Sequence, residues 1–268
     1  MGIDKNNIII KCLEKYLNHL EFERNLSKNT IISYRYDLLL YADFLTNTIK
    51  IKKIKNIKKI HIEKFIIISN NCTKTSSKYI NKKKASSLQR LFSSIRGFHQ
   101  YLCFSGFLKS DPSSILIPPK IVKKIPVILQ VEEIEKIISS IDFNAKYSSR
   151  DYAIIYTLYA TGIRVSELID LKISSLMINE QIIRIRGKGN KERIVPIGNK
   201  AINNIQLYIE NLRNILSDKG KSNGYLFLNS RGSKLSRMTI WNIINKNVAK
   251  SGIDKKISPH IFRHSFAT

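Results

Sequence analysis

The sequence predicts a mainly α protein in two parts, an N-terminal helical bundle and a C-terminal α+β domain with a small antiparallel sheet. Three observations predict it. Apolar residues recur at helical spacing through the first hundred residues. An aperiodic Pro- and Lys-rich stretch breaks that pattern around residue 120. Beyond it, helical stripes flank one segment of period-two alternation with a Gly-rich turn.

In the first part, Ile9, Leu13, Tyr16, Leu17 and Leu20 share one helical face. After Asn25-Leu26-Ser27 a second stripe holds Tyr34, Leu38, Tyr41 and Leu45, with Thr30 as its candidate cap. Residues 50–64 are rich in Lys and Ile and read as a linker and a short helix. Leu88, Leu91, Phe92, Ile95, Phe98 and Leu102 predict a long helix that Gly106 ends. Asp111-Pro112-Ser113-Ser114, Pro118-Pro119-Lys120 and Lys123-Lys124-Ile125-Pro126 then read as an exposed connector. The expected division is a helical domain over 1–110, a linker over 111–126 and a second domain over 127–268.

In the second part, 131–141 is an amphipathic helix, and 151–160 is apolar enough to sit at the centre of a core. Thr161-Gly162 ends that helix and 164–171 restarts one. Residues 181–186 alternate as a strand, 187–190 form a turn, and 192–197 return. Helices over 200–216 and 236–250 bracket a short extended segment at 225–228. Ser258-Pro259 opens a last helix, with Ser as cap and Pro in the first turn. No internal repeat is visible.

With 43% hydrophobic residues the 268-residue chain can bury a sizeable core. Lys+Arg number 46 against 20 Asp+Glu, a formal charge of +26, which attracts DNA, RNA or an anionic membrane. Of the 46 basic residues, 33 are Lys and 13 are Arg. An AT-rich genome produces the same bias toward Lys, Ile and Asn, so part of this charge reads as solvated surface. Cys12, Cys72 and Cys103 have no CxxC spacing; they suit a reducing compartment and argue against a disulfide framework or a zinc site. The start MGIDKNN has no apolar signal core, and no apolar run is long enough to span a bilayer. A cytoplasmic protein without membrane insertion is expected.

Three segments carry chemistry. In Ala160-Thr161-Gly162-Ile163-Arg164-Val165-Ser166-Glu167-Leu168, Arg164 follows a helix break and Glu167 lies one turn on, where it can orient the guanidinium. Taken alone, the two read as a surface ion pair. In Arg186-Gly187-Lys188-Gly189-Asn190-Lys191-Glu192-Arg193, a Gly-flanked Lys at a hairpin tip can reach a polyanion, or be a solvated turn; the spacing is not that of a Walker loop. In Ser258-Pro259-His260-Ile261-Phe262-Arg263-His264, His260 and Arg263 share a face near a helix start, which suits a phosphate or simply a polar surface.

Together the three make a coherent set. Two Arg can clamp the non-bridging oxygens of a reacting phosphodiester bidentately, which Lys cannot. A His can move a proton to or from a nucleophile, and a Lys can protonate a leaving sugar oxygen. Fixed cations then stabilise the transition state without a metal. The missing item is a nucleophile.

The order Arg, Lys, His-x-x-Arg resembles the tyrosine recombinases, the phage-integrase family, and within it the Xer type. ATGIRVSEL, GKGNKERIVPIG and SPHIFRHSFAT are similar to its signature boxes, and NLSKNTIISYRYDL, DPSS and RLFSSIRGFHQYL extend the resemblance over essentially the whole chain. It implies a SAM-like core-binding domain followed by a tyrosine-recombinase catalytic domain, the two clamped around duplex DNA. It implies Arg164 and Arg263 as phosphate clamps, Lys188 in preference to Lys191 as general acid on the leaving 5′ oxygen, His260 in proton transfer, and Glu167 in support. It implies Asn29, Thr30, Tyr34, Arg90, Arg96 and Lys191 as DNA contacts. No cofactor or metal is implied. The implied partners are a dif-like inverted-repeat duplex, an XerC-like recombinase in a heterotetramer, and an FtsK-like translocase, in the resolution of chromosome dimers at cell division.

The family pattern continues with a further His or Trp and then the nucleophilic Tyr, whereas no Tyr follows Arg263 in these 268 residues. The last is Tyr225; Tyr156 and Tyr159 read as core. The expectation is a chain truncated at its C-terminus, a fragment or a shortened gene product, that binds duplex DNA without cutting it. A DNA-binding relic of a recombinase is therefore the alternative to an enzyme. RNA binding is disfavoured, since neither an RNP-like aromatic strand nor a KH-type GxxG loop is found.

Overall fold

The computed structural model describes residues 7–71, 84–118, 127–187, 191–255 and 257–266. The chain forms two compact units, Met1–Lys123 and Lys124–Thr268, each around its own apolar cluster. Among the described residues no helix is long and apolar enough to cross a membrane.

The first unit holds α1 (Ile8–Asn18), α2 (Lys28–Asp43), α3 (Lys59–Asn71) and α4 (Ala85–Phe104). Every residue of the predicted α4 stripe, from Leu88 to Leu102, is buried. Ser27 rather than Thr30 caps α2, because Ser27 still has extended backbone while Thr30 is already helical. The Ser27 hydroxyl accepts from the Thr30 amide at 3.3 Å and pairs with the Thr30 hydroxyl at 2.8 Å. Gly106 takes a left-handed φ of 73° just past α4, where a side chain would be strained.

Two polar pairs lie inside this unit. His99 Nε2 and Tyr41 Oη are 3.0 Å apart, both residues being buried. Burial lowers the His99 pKa to about 4, against a smaller opposing pull from Asp111. Asp37, fully buried, accepts from Arg90 Nε at 2.9 Å. After α4, the backbone turns where Asp111 Oδ1 accepts from the Ser113 amide and hydroxyl. Residues 119–126 of the predicted connector lie outside the described residues, as does Cys72; Cys12 and Cys103 are free thiols.

The second unit begins with α5 (Val131–Ser139), whose first turn Glu133 closes by accepting from the Gln130 amide. At its centre is α6 (Ser148–Thr161), with Ile154, Ile155 and Leu158 wholly buried. The short α7 (Val165–Asp170) follows. The sheet is antiparallel, in the order β1 (Leu176–Met177), β2 (Ile182–Arg186), β3 (Glu192–Pro196). On β2, Ile183 and Ile185 enter the core while Arg184 and Arg186 face out, which is the period-two pattern made physical. The predicted hairpin is β2–β3. Strand β1 is an addition that two residues are too short to announce by alternation.

The predicted helix over 200–216 is α8 (Asn199–Tyr208) running through a wide π-type turn at Ile209–Arg213 into α9 (Asn214–Ser217). The 225–228 segment makes isolated bridges, Lys172 to Tyr225 and Leu228 to Lys234, rather than a strand. Its Leu226, Phe227 and Leu228 are buried, and Tyr208 Oη accepts from the Leu228 amide. Helix α10 (Arg237–Ser251), capped by Ser236, and α11 (Pro259–Phe266) complete the unit.

Candidate active site

The site is organised around the break between α6 and α7. Gly162 ends α6 with φ 55°, a left-handed conformation that glycine adopts without cost. Two residues later Arg164 is the N-cap of α7, so its stem is fixed while its side chain stays 54% exposed. From α11, Arg263 Nη1 donates to the Gly162 carbonyl at 2.6 Å. Phe262 is buried beside it, and Ser265 Oγ accepts from the Leu129 amide, so α11 is held at both ends of this contact. The first and third sequence boxes thus meet at one turn.

Beneath Arg164 lies Glu167, buried to 6% exposure. Its Oε2 accepts from the Arg164 amide at 2.7 Å and its Oε1 from Arg164 Nη1 at 3.0 Å. Arg193, on β3, donates Nη1 to Oε1 at 2.7 Å and Nη2 to Oε2 at 2.8 Å. Burial by itself would raise the Glu167 pKa. The Arg193 hydrogen bonds, the Arg164 amide and the Arg164 side chain outweigh it and hold the group down at about 2. The carboxylate is therefore charged at neutral pH and serves two guanidinia at once.

Lys188 lies outside the described residues, with Gly189 and Asn190 of the predicted turn. Its hairpin is closed immediately below, where the Gly187 amide donates to the Lys191 carbonyl at 2.7 Å. Lys191 is exposed. His260, in the first turn of α11, is also exposed, and among the described residues it has no hydrogen bond to either arginine. Tyr156 and Tyr159 pack half-buried against the core, and Tyr225 lies under the ammonium groups of Lys172 and Lys234.

The candidate DNA contacts of the first unit are differently placed. Asn29 is exposed in the first turn of α2, Thr30 pairs with Ser27, and Tyr34 packs half-buried against the core. Arg90 is engaged by Asp37, and the Nε of Arg96 is buried without a hydrogen-bond partner among the described residues. Sequence reasoning passed over Arg193. Its place in a strand facing the Arg164 box could be read only from the register that sets Arg193 opposite Ile185.

Residues 128–268 match the phage integrase family, and residues 13–106 match the phage integrase N-terminal SAM-like domain. The chain belongs to the phage integrase family, as a tyrosine recombinase of the Xer type. It is similar to the tyrosine recombinase XerD of Staphylococcus aureus, with 37% identity over 258 residues, 96% of this chain and 83% of that protein. The XerD of Staphylococcus epidermidis is 38% identical over 257 residues, again 96% and 83% of the two chains. The fold is shared with a lambda integrase (75–356) dimer bound to a COC′ core site, at TM-score 0.71 and 16% identity, over 96% of this chain and 87% of that one. It is shared also with the XerH site-specific recombinase bound to difH substrate, at TM-score 0.66 and 22% identity, over 99% and 77%.

Proposed function

We propose that this chain acts on duplex DNA at a dif-like inverted-repeat site, as one half of a pair with an XerC-like recombinase. In this reading two copies of each protein assemble on two sites and exchange strands through phosphotyrosine linkages, whose attacking tyrosine is not among these 268 residues, since none follows Arg263; the 268 residues by themselves bind the duplex without cutting it. An FtsK-like translocase activates them, and the outcome is resolution of chromosome dimers at cell division. The unit Met1–Lys123 is the core-binding half and Lys124–Thr268 the catalytic half, joined by the connector.

Arg164 and Arg263 clamp the non-bridging oxygens of the scissile phosphate. Lys188 protonates the leaving 5′ oxygen and His260 assists proton transfer at the attacking group. No metal is needed, because fixed cations face the charge that develops. The observation that carries the reading is the Arg263–Gly162 contact, which supports a common seat for the two arginines. The +26 charge supports the choice of a polyanion.

The test is a binding series on this chain with an inverted-repeat duplex and a length-matched RNA duplex over rising salt. DNA is expected to bind more tightly, with affinity falling steeply and linearly in log salt. Equal or tighter binding to RNA would overturn the assignment. Arg164→Ala and Arg263→Ala are each expected to lose no more than one phosphate contact's share of the binding and to spare the rest, since a clamp's larger contribution falls on the transition state.

A further inference from the structure

We infer that Arg193 is a positioning residue for the phosphate clamp: by occupying the Glu167 carboxylate bidentately it keeps Arg164 free to face DNA. The inference rests on the reading of Arg164 given above. Glu167 is a buried anion beside a cation that must stay available, and a carboxylate with a lone arginine neighbour favours a fork of two bonds to it. Such a fork would draw the Arg164 guanidinium inward and cancel its charge. Here the fork is taken by Arg193, at 2.7 and 2.8 Å, and Arg164 keeps only the single 3.0 Å side-chain bond.

Charge arithmetic points the same way. Two guanidinia and one carboxylate leave one positive charge over, and Arg164 is the more exposed of the two, at 54% against 38%. The surplus is thus presented at Arg164. Arg193 also stands on β3 just past the hairpin turn, one residue from Glu192, which pairs with Arg186 across the stem. Strand β3 and the Arg164 N-cap of α7 are therefore joined through the Glu167 carboxylate as well as through the apolar cluster they share.

The experiment is a double-mutant cycle on the 268-residue chain, read by the salt dependence of duplex binding with thermal melting alongside. R164A and R193A are each expected to make the log–log slope shallower by about 0.9, one phosphate contact. The double variant R164A/R193A is expected to be no shallower than R164A. R193K, able to hold one carboxylate oxygen, should recover part of the loss. An R193A slope equal to that of the unaltered chain would reduce the ion pair to a structural role and overturn the inference. Additive losses in the double variant would overturn it too, by placing Arg193 itself on DNA. An unaltered slope in R164A would instead overturn the clamp reading beneath it. Should R193A not melt cooperatively, R193K and the uncharged pair E167Q/R193Q carry the same comparison.

Discussion

Arg263 donates its Nη1 to the carbonyl of Gly162 at 2.6 Å, although 101 residues separate them in the chain. The contact joins the last helix to the turn from which Arg164 springs, so the geometry of that turn also sets how the two arginines are placed. A glycine is required there for its backbone. A Cβ added at Gly162 would also meet the Phe266 ring at 2.5 Å.

Gly162→Ala should therefore destabilise the second unit by about 1–2 kcal/mol, the left-handed penalty for a residue with a side chain. The half-exposed Phe266 ring can swing aside, but the φ of 55° cannot be relieved without moving Gly162 itself. Melting followed by circular dichroism checks this. Phe266→Ala in the same chain should return only a minor part of the loss.

Glu167→Ala removes the shared anion and leaves two guanidinia facing one another. A loss of roughly 2–3 kcal/mol is expected from the charged hydrogen bonds alone. Glu167→Gln, which keeps one acceptor oxygen, should lose less. Urea unfolding of both variants at one pH separates the two, and equal stability of all three chains would contradict the arrangement.

Arg90→Gln is expected to act on stability more than on DNA affinity. Asp37 is fully buried, and the substitution withdraws the charged donor that Arg90 Nε supplies to it. A loss on the order of 2 kcal/mol follows, with duplex binding changed by less than about tenfold. Parallel melting and binding curves decide between this and a direct DNA contact.

His99 should make the first unit acid-sensitive. Its pKa in the fold is lowered to about 4 by burial, whereas the unfolded chain protonates near 6.5. Between those values the unfolded state binds more protons, so stability present above pH 6.5 declines as the pH falls toward 4. The full decline is roughly 3 kcal/mol. Hydrogen exchange of the α4 amides at pH 7 and pH 5, corrected for intrinsic rates, should reveal it. His99→Leu should flatten the pH dependence.

The features legible in residue order are local ones. The apolar stripe from Leu88 to Leu102, the alternation of Ile183 and Ile185 against Arg184 and Arg186, and the glycine after Thr161 each encode burial or backbone freedom within a few residues. The three boxes of the recombinase signature were legible for the same reason, since each is a short run on one element. Tertiary structure alone decided the pairings of Arg193 with Glu167, Arg263 with Gly162, and Arg90 with Asp37. It also decided β1, which exists only because β2 offers it an edge, and the capping of α2 by Ser27 in place of Thr30. Periodicity specifies which face of an element is buried; it carries no record of which charged group on a distant element will arrive opposite. That choice is made by packing, when the cores around α4 and α6 close and bring separate polar groups within hydrogen-bond reach.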